Sequence, residues 1–387
     1  MTMMTATPAG HTVLCHCMNV FPGTTPQAKL SALFGCLTEV RQRLTGDDGR
    51  AFPVGLWLDA ATANALHQDA AAAAAWTARL HGAGFRAVTA NAFPYGRFHD
   101  AAVKTGVYHP DWTCPERRDY TIAVADLLAD MLPEGQVGSI STLPAGYRRD
   151  FPADGETPML GHILAVARHL AQIRARTGKT IRLGFEMEPD CLWEDPAEFA
   201  DFFARRLRGH ENAEFVGVCY DTCHQELLAR RPGEGLQVLL EAGIPIVKIQ
   251  LSAAIQAPAP SARRFLVQNF QDTVYLHQTR ALAHHRIVQA WNDLPPADCP
   301  DHELARGDEW RCHFHVPVFL EHLPGGLQVA KAELLAVLAA IRKSPAICPT
   351  LEIETYSYNV LPDFLKSTSL ADCLVREAQF ILAEQQS

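Results

Sequence analysis

The chain has 387 residues, 48% of them hydrophobic and 20% charged, with 25 Gly and 25 Pro, which is ordinary globular usage and excludes extended disorder. A net charge of −9 without any Lys/Arg block works against a long contact with a phosphate backbone, so nucleic acid is not an expected partner. Met1 to Gly10 lacks a basic region followed by an apolar core, no stretch reaches about 18 apolar residues, and the 11 cysteines are odd in number; a reduced, cytoplasmic chain without membrane insertion is expected.

Short β-rich runs alternate with longer helical patterns along the chain. The first, Thr12–Met18, contains Cys15-His16-Cys17, but neighbours on a strand point to opposite faces and no second Cys pair stands at zinc-finger spacing, so these thiols read as buried hydrophobes. Val54–Asp59 and Arg86–Asn91 follow, separated by the Ala70–Ala75 run, which Trp76, Leu80 and Gly82/Gly84 mark as a helix of high propensity. After Val137–Thr142, the stripe Leu160, Ile163, Leu164, Ala167, Leu170 and Ile173 predicts an amphipathic helix over Met159 to Thr177, stopped by Gly178. Ile181–Glu186 is succeeded by Asp195-Pro196-Ala197-Glu198, an N-cap, a first-turn proline and a capping-box glutamate before Phe199. Phe215–Asp221, Ile246–Gln250 and Thr350–Glu354 complete eight strand candidates, with a helix over Lys331 to Lys343 before the last.

Eight mostly apolar strands joined by helices predict an α/β fold: a single (β/α)8 barrel domain over residues 1–387. Residues 253–311 are too long for a simple link after the seventh strand and read as an insertion or lid, on the side where a barrel keeps its functional loops.

Functional groups in such a barrel come from the last residues of the strands. Strand five ends Glu186-Met187-Glu188, strand six Asp221-Thr222-Cys223-His224, and strand eight Glu352-Ile353-Glu354. Carboxylates facing one another in a closed space repel and are poorly solvated, and a divalent cation resolves both problems. Glu186, Asp221 and Glu354 are therefore candidate metal ligands for Mn, Mg, Co or Zn, with Glu188 and Glu352 sharing their strand faces and Lys248 and Gln250 on strand seven. His313 and His315 flank Phe314, so an extended segment there puts two imidazoles on one face. Phe93 and Trp112 are candidates for an aromatic, sugar-stacking wall.

These residues resemble a known family. Asp221-Thr222-Cys223-His224 is similar to the strand-six Asp-x-x-His of xylose-isomerase-like epimerases, in which the Asp binds metal and the His touches substrate. Glu186 and Glu354 resemble their paired glutamates, which bind metal and move the proton. The departure is Gln250, where those epimerases place a metal-binding His; His313 or His315 is the expected replacement. A resemblance over nearly the whole chain is to the EboE proteins, carried by Asn19-Val-Phe-Pro-Gly23, Phe93-Pro-Tyr-Gly-Arg-Phe98, Val107-Tyr-His-Pro-Asp-Trp112, Ser139-Ile-Ser-Thr-Leu-Pro144, Tyr275-Leu-His-Gln278 and Leu351-Glu-Ile-Glu-Thr-Tyr356. EboE proteins are encoded in a bacterial secondary-metabolite cluster beside a prenyltransferase, a sugar-phosphate-cyclase-like enzyme and a TatD-like hydrolase, and are named metabolite traffic proteins from that context. The resemblances imply a metal-dependent isomerase or epimerase of a sugar-like or cyclitol-like polyol, with Glu186 and Glu354 catalytic and Glu188, His224, His277, Lys248, Glu352, Phe93 and Trp112 around the substrate. They also imply a functional link to the other enzymes of the cluster and are compatible with a homo-oligomer. A non-catalytic metabolite carrier and a metal-dependent phosphoesterase or endonuclease are the alternatives, the second opposed by the charge of −9.

Overall fold

The computed structural model describes residues 12–23, 25–46, 49–96, 99, 103–366 and 369–386; the amino-terminal residues read above, and Arg97 and Phe98 of the Phe93 motif, lie outside them. Seven parallel strands follow one another from the amino end: β1 (Val13–Cys17), β2 (Phe52–Trp57), β3 (Phe85–Asn91), β4 (Gly138–Thr142), β5 (Ile181–Glu186), β6 (Val216–Asp221) and β7 (Ile246–Leu251). Six strands of a separate sheet come next: β8 (Ala254–Ala257), β9 (Thr279–Ala283), β10 (Arg286–Trp291), β11 (Glu309–Cys312), β12 (His322–Leu323) and β13 (Leu327–Ala330). Then β14 (Thr350–Ile353) pairs with β7 on one side and β1 on the other and closes an eight-stranded parallel barrel. All eight expected strands are present and shift by at most two residues at an end. Helices surround the barrel, so its strands are buried on both faces, and this is why they read as apolar runs instead of alternating ones.

Local chemistry sets the helix ends. Asp195 accepts from the Ala197 amide (2.8 Å) while Glu198 accepts from the Asp195 amide (3.1 Å), a complete capping box. The helix Glu156–Thr177 stops at Gly178, whose φ of 72° lies in the left-handed region that favours glycine. Among the described residues no helix is long and apolar enough to cross a membrane.

The sheet of order β10-β9-β11-β8-β13-β12 runs from Ala254 to Ala330, further than the expected 253–311 segment, because β13 returns to pair with β8. It starts three residues beyond β7, at the carboxyl end of the barrel. Between β11 and β12 the chain crosses back over that end in an extended stretch, with His313 N–H donating to Gln278 O (2.9 Å) and Val316 N–H to Ala253 O (3.1 Å).

Candidate metal centre

Inside the barrel, residues two apart on a strand occupy successive layers. The lower of two layers holds Lys248 and Glu352, whose Nζ and Oε2 lie 2.6 Å apart at zero exposure; Lys248 also donates to Ser141 Oγ (2.8 Å). A Cβ at Gly55 would collide with the Glu352 carboxylate, so glycine alone leaves room for it. The layer above, at the strand ends, holds Glu186, Asp221, Gln250 and Glu354. Glu186, Asp221 and Glu354 each offer an oxygen, and these oxygens all lie within 4.8 Å of one another. Glu186 Oε2 and Asp221 Oδ2 are buried without a hydrogen-bond partner among the described residues. Three buried carboxylates, two of them with an unpartnered oxygen, fit a hard divalent cation and fit little else.

The Asp-x-x-His spacing has a local cause. Asp221 is the N-cap of the short helix Thr222–Glu226, its Oδ1 accepting from the His224 amide (3.0 Å) and from Ser252 Oγ (2.7 Å). The cap fixes the third helical residue, so the His224 imidazole is held beside the carboxylates, with Nε2 3.0 Å from Glu188 Oε2. His313 and His315 come from the crossing segment, both turned inward, while Phe314 between them packs outward on His277 (4.1 Å between ring centroids) and Phe270 (5.5 Å). His313 Nε2 lies 3.1 Å from both His224 Nε2 and His315 Nε2.

Burial, followed by the neighbouring carboxylates, pushes Glu186 and Glu354 well above the usual carboxylate range; burial also raises Glu188, although Tyr108 works against it. Burial acts on Asp221 in the same sense, but His224, His315 and the Ser252 hydroxyl outweigh it and hold this group low. Loss of hydration lowers His224 to about 4 and drives His313, facing two other imidazoles, well below the ordinary histidine value.

The cavity above these groups is lined by Glu186, Glu188, Glu354, His224, His313 and Phe93, as expected, and also by Asn19, Asn91, Tyr108, Tyr275 and Tyr356. Other expected members lie elsewhere. Gln250 is in the right layer, but its amide oxygen, the atom that would ligate, accepts from Cys219 Sγ (3.0 Å). Lys248 and Glu352 neutralise each other below the cavity. Both nitrogens of His277 are engaged, by His313 O (2.8 Å) and Asp272 Oδ2 (3.1 Å), so no polar atom remains for a substrate. Trp112 is fully buried against Phe185 with its Nε1–H donating to Thr142 Oγ1 (3.1 Å), a wall residue of the core.

Six contributors were missing from the expected set: Tyr275 and Tyr356 on the wall, and four that act through hydrogen bonds. Asn19 and Asn91 donate to Glu354 Oε1 (2.6 and 3.1 Å) and aim this carboxylate. Tyr108 donates to Glu188 Oε1 (3.1 Å) and accepts from Gln278 Nε2 (2.9 Å), and Gln278 Oε1 accepts from His313 Nδ1 (2.7 Å). Asn91 is the last residue of β3, so the strand-end rule could have found it; nothing in the sequence pairs Tyr108 with Gln278.

No protein-family model and no curated protein sequence matches this chain. Solved structures do. The chain is similar to a xylose isomerase-like TIM-barrel protein from Mycobacterium smegmatis in complex with magnesium, at 11% identity over 96% of each chain and a TM-score of 0.50. A D-tagatose 3-epimerase-like protein (10% identity, 96% of each chain, TM-score 0.48) and an IOLI protein with a zinc atom (12%, 96% of this chain and 97% of the other, 0.44) also align with it. At such identity the first likeness shows the fold, a xylose isomerase-like TIM barrel, and says nothing of individual residues.

Proposed function

We propose that the protein is a divalent-metal-dependent isomerase or epimerase acting on a neutral, sugar-like or cyclitol-like polyol. The carrying observation is the trio Glu186, Asp221 and Glu354, buried at the strand ends with oxygens within 4.8 Å of one another, of which Glu186 Oε2 and Asp221 Oδ2 have no hydrogen-bond partner among the described residues. A cation held there by these residues supplies polarisation of a substrate carbonyl and hydroxyl. The magnesium and zinc in two of the structural neighbours are compatible with such a site in this chain. Glu186 and Glu354, both raised by burial, are suited to hold and release the proton that moves between adjacent carbons. Asn19 and Asn91 fix the Glu354 oxygen they bond, and so direct its other oxygen. Phe93, Tyr275 and Tyr356 supply apolar faces for a polyol ring. Lys104, the cation among the described lining residues, is held by Asp293 (2.6 Å) and two carbonyls, so a phosphate finds no unpaired positive side chain there and the phosphoesterase reading loses support. The EboE resemblance supports a metabolite of a secondary pathway as the substrate, handled alongside the other enzymes of that cluster.

The test is solvent deuterium incorporation, followed by proton NMR with metal-loaded protein, across a panel of ketoses, aldoses and cyclitol ketones. Exchange at the carbon beside the carbonyl is expected and should disappear in Glu186→Gln and in Glu354→Gln. The Cys219 bond to Gln250 favours a second reading, a carrier that keeps the cavity and has lost turnover; saturable binding without exchange in any compound would select it.

A further inference from the structure

We infer that the cavity is built for two cations: beside the carboxylate position, His224 of the barrel and His313 and His315 of the crossing segment form a nitrogen-rich position. The inference rests on the reading that the cavity holds metal and goes beyond it in number and kind of site. Hydrogen bonds fix all three ring tautomers. His224 Nδ1 faces the carbonyl of Met187 (3.1 Å) and His315 Nδ1 the carbonyl of Glu354 (2.9 Å); a carbonyl only accepts, so each Nδ1 carries its hydrogen. Gln278 Nε2 donates to the Pro189 carbonyl (3.2 Å), which turns its Oε1 toward His313, so His313 Nδ1 is a donor as well.

With the hydrogen on Nδ1, each ring in its neutral form presents an Nε2 lone pair. Two pairs of these atoms nevertheless stand 3.1 Å apart, and Glu188 Oε2 stands 3.0 Å from His224 Nε2. Four electron-rich atoms at hydrogen-bond distance without a hydrogen between them repel, unless a cation sits among them. The spacing suits one: with metal–nitrogen bonds of about 2.1 Å, a 3.1 Å separation subtends about 95°, near the right angle of an octahedral shell.

This position is distinct from the carboxylate one and touches it. Asp221 is grouped within 4.8 Å both with Glu186 and Glu354 and with His224 and His315, so its carboxylate can bridge. Imidazole donors favour Zn2+, Co2+ or Ni2+, whereas the oxygen trio accepts Mg2+ or Mn2+.

The experiment measures metal content by mass spectrometry after chelator treatment of the full chain and reloading with Co2+, with the Co2+ absorption spectrum recorded in parallel. Two equivalents are expected in the unmodified protein. His313→Ala combined with His315→Ala should drop this to one and shift the visible bands toward oxygen ligation; Glu186→Gln combined with Glu354→Gln should also leave one, with the nitrogen-type bands retained. One equivalent in the unmodified protein, removed entirely by either pair, would overturn the second position and leave a single centre. No bound Co2+ at all would sink the metal-dependent function as well. Should the histidine pair fail to fold by circular dichroism, the titration of the unmodified protein still decides, since its equivalence point is two or it is not.

Discussion

Lys248 and Glu352 lie one layer below Gln250 and Glu354 on the same two neighbouring strands, yet the two layers solve opposite problems. The lower layer is neutral within itself: one cation, one anion 2.6 Å away and a hydroxyl, all at zero exposure. The upper layer gathers Glu186, Asp221 and Glu354 beside imidazoles whose lone pairs face one another, and the cation that acts on Glu186 and Glu354 from below, Lys248, is already paired with Glu352. A pair that completes itself is part of the scaffold, whereas a set that only something from outside can complete is a site. Burial alone does not separate the two, since both layers are buried; charge balance does.

The largest expected effect breaks the lower layer. Lys248→Met leaves Glu352 buried without its partner and should cost about 3–5 kcal/mol of unfolding free energy by denaturant titration. Lys248→Met with Glu352→Gln should recover much of that loss. If the single variant loses less than the double, the pair is not what stabilises this layer.

Next in size is a buried carboxyl behind the site. Glu377 accepts from Thr355 Oγ1 (2.7 Å) and the Val318 amide (3.3 Å), and burial raises it from 4.5 to about 7. Below pH 4.5 both folded and unfolded chains hold the proton and the group costs nothing. As pH rises from 4.5 to 7 the unfolded chain ionises first, so this group removes about 3 kcal/mol of stability across that window. Glu377→Gln should gain on the unmodified protein by that amount between pH 4.5 and 7; parallel stability curves would show that Glu377 ionises as freely in the fold as outside it.

The upper layer should respond in the opposite direction from the lower. In metal-free protein Glu354→Gln removes one carboxylate from a repelling set and should raise stability, while metal affinity falls. Asp221→Asn should lose metal most completely, because the bridging oxygen goes. A destabilised Glu354→Gln that keeps full metal content would mean that the upper layer is scaffold like the lower.

The sequence shows the upper layer's members better than their arrangement. Eight apolar runs and the Asp195 capping box are local signals, and strand-end acids follow from knowing where a strand stops. Whether Lys248 meets Glu352 or a substrate depends on β7 and β14 being neighbours, a pairing set about 100 residues away along the chain by the closure of the barrel. The same holds for the histidines. His277, His313 and His315 look alike in the sequence, but Phe314 stacking on His277 turns two rings inward and walls the third off. Asn19, Asn91 and Tyr108 are neutral, so no charge pattern announces them.

The smallest expected effect tests how far the upper layer reaches into the insertion. Tyr108 links Glu188 to Gln278, and Gln278 holds the His313 tautomer, so one hydroxyl connects a carboxylate just beyond β5 with an imidazole of the crossing segment. Tyr108→Phe keeps the ring that stacks on Tyr147 at 4.9 Å and removes only the hydroxyl, so packing should survive. Glu188 Oε1 loses its donor, whereas Gln278 Nε2 keeps the Pro189 carbonyl and stays oriented. The cost should be near that of one hydrogen bond, about 1 kcal/mol, which is about fivefold in Co2+ affinity at the imidazole position. Titration of metal-free protein should show this weakening in one of two binding steps and leave the carboxylate step where it was. Equal weakening of both steps would mean that the positions are a single centre, and no change in either would make Tyr108 a wall residue like Trp112.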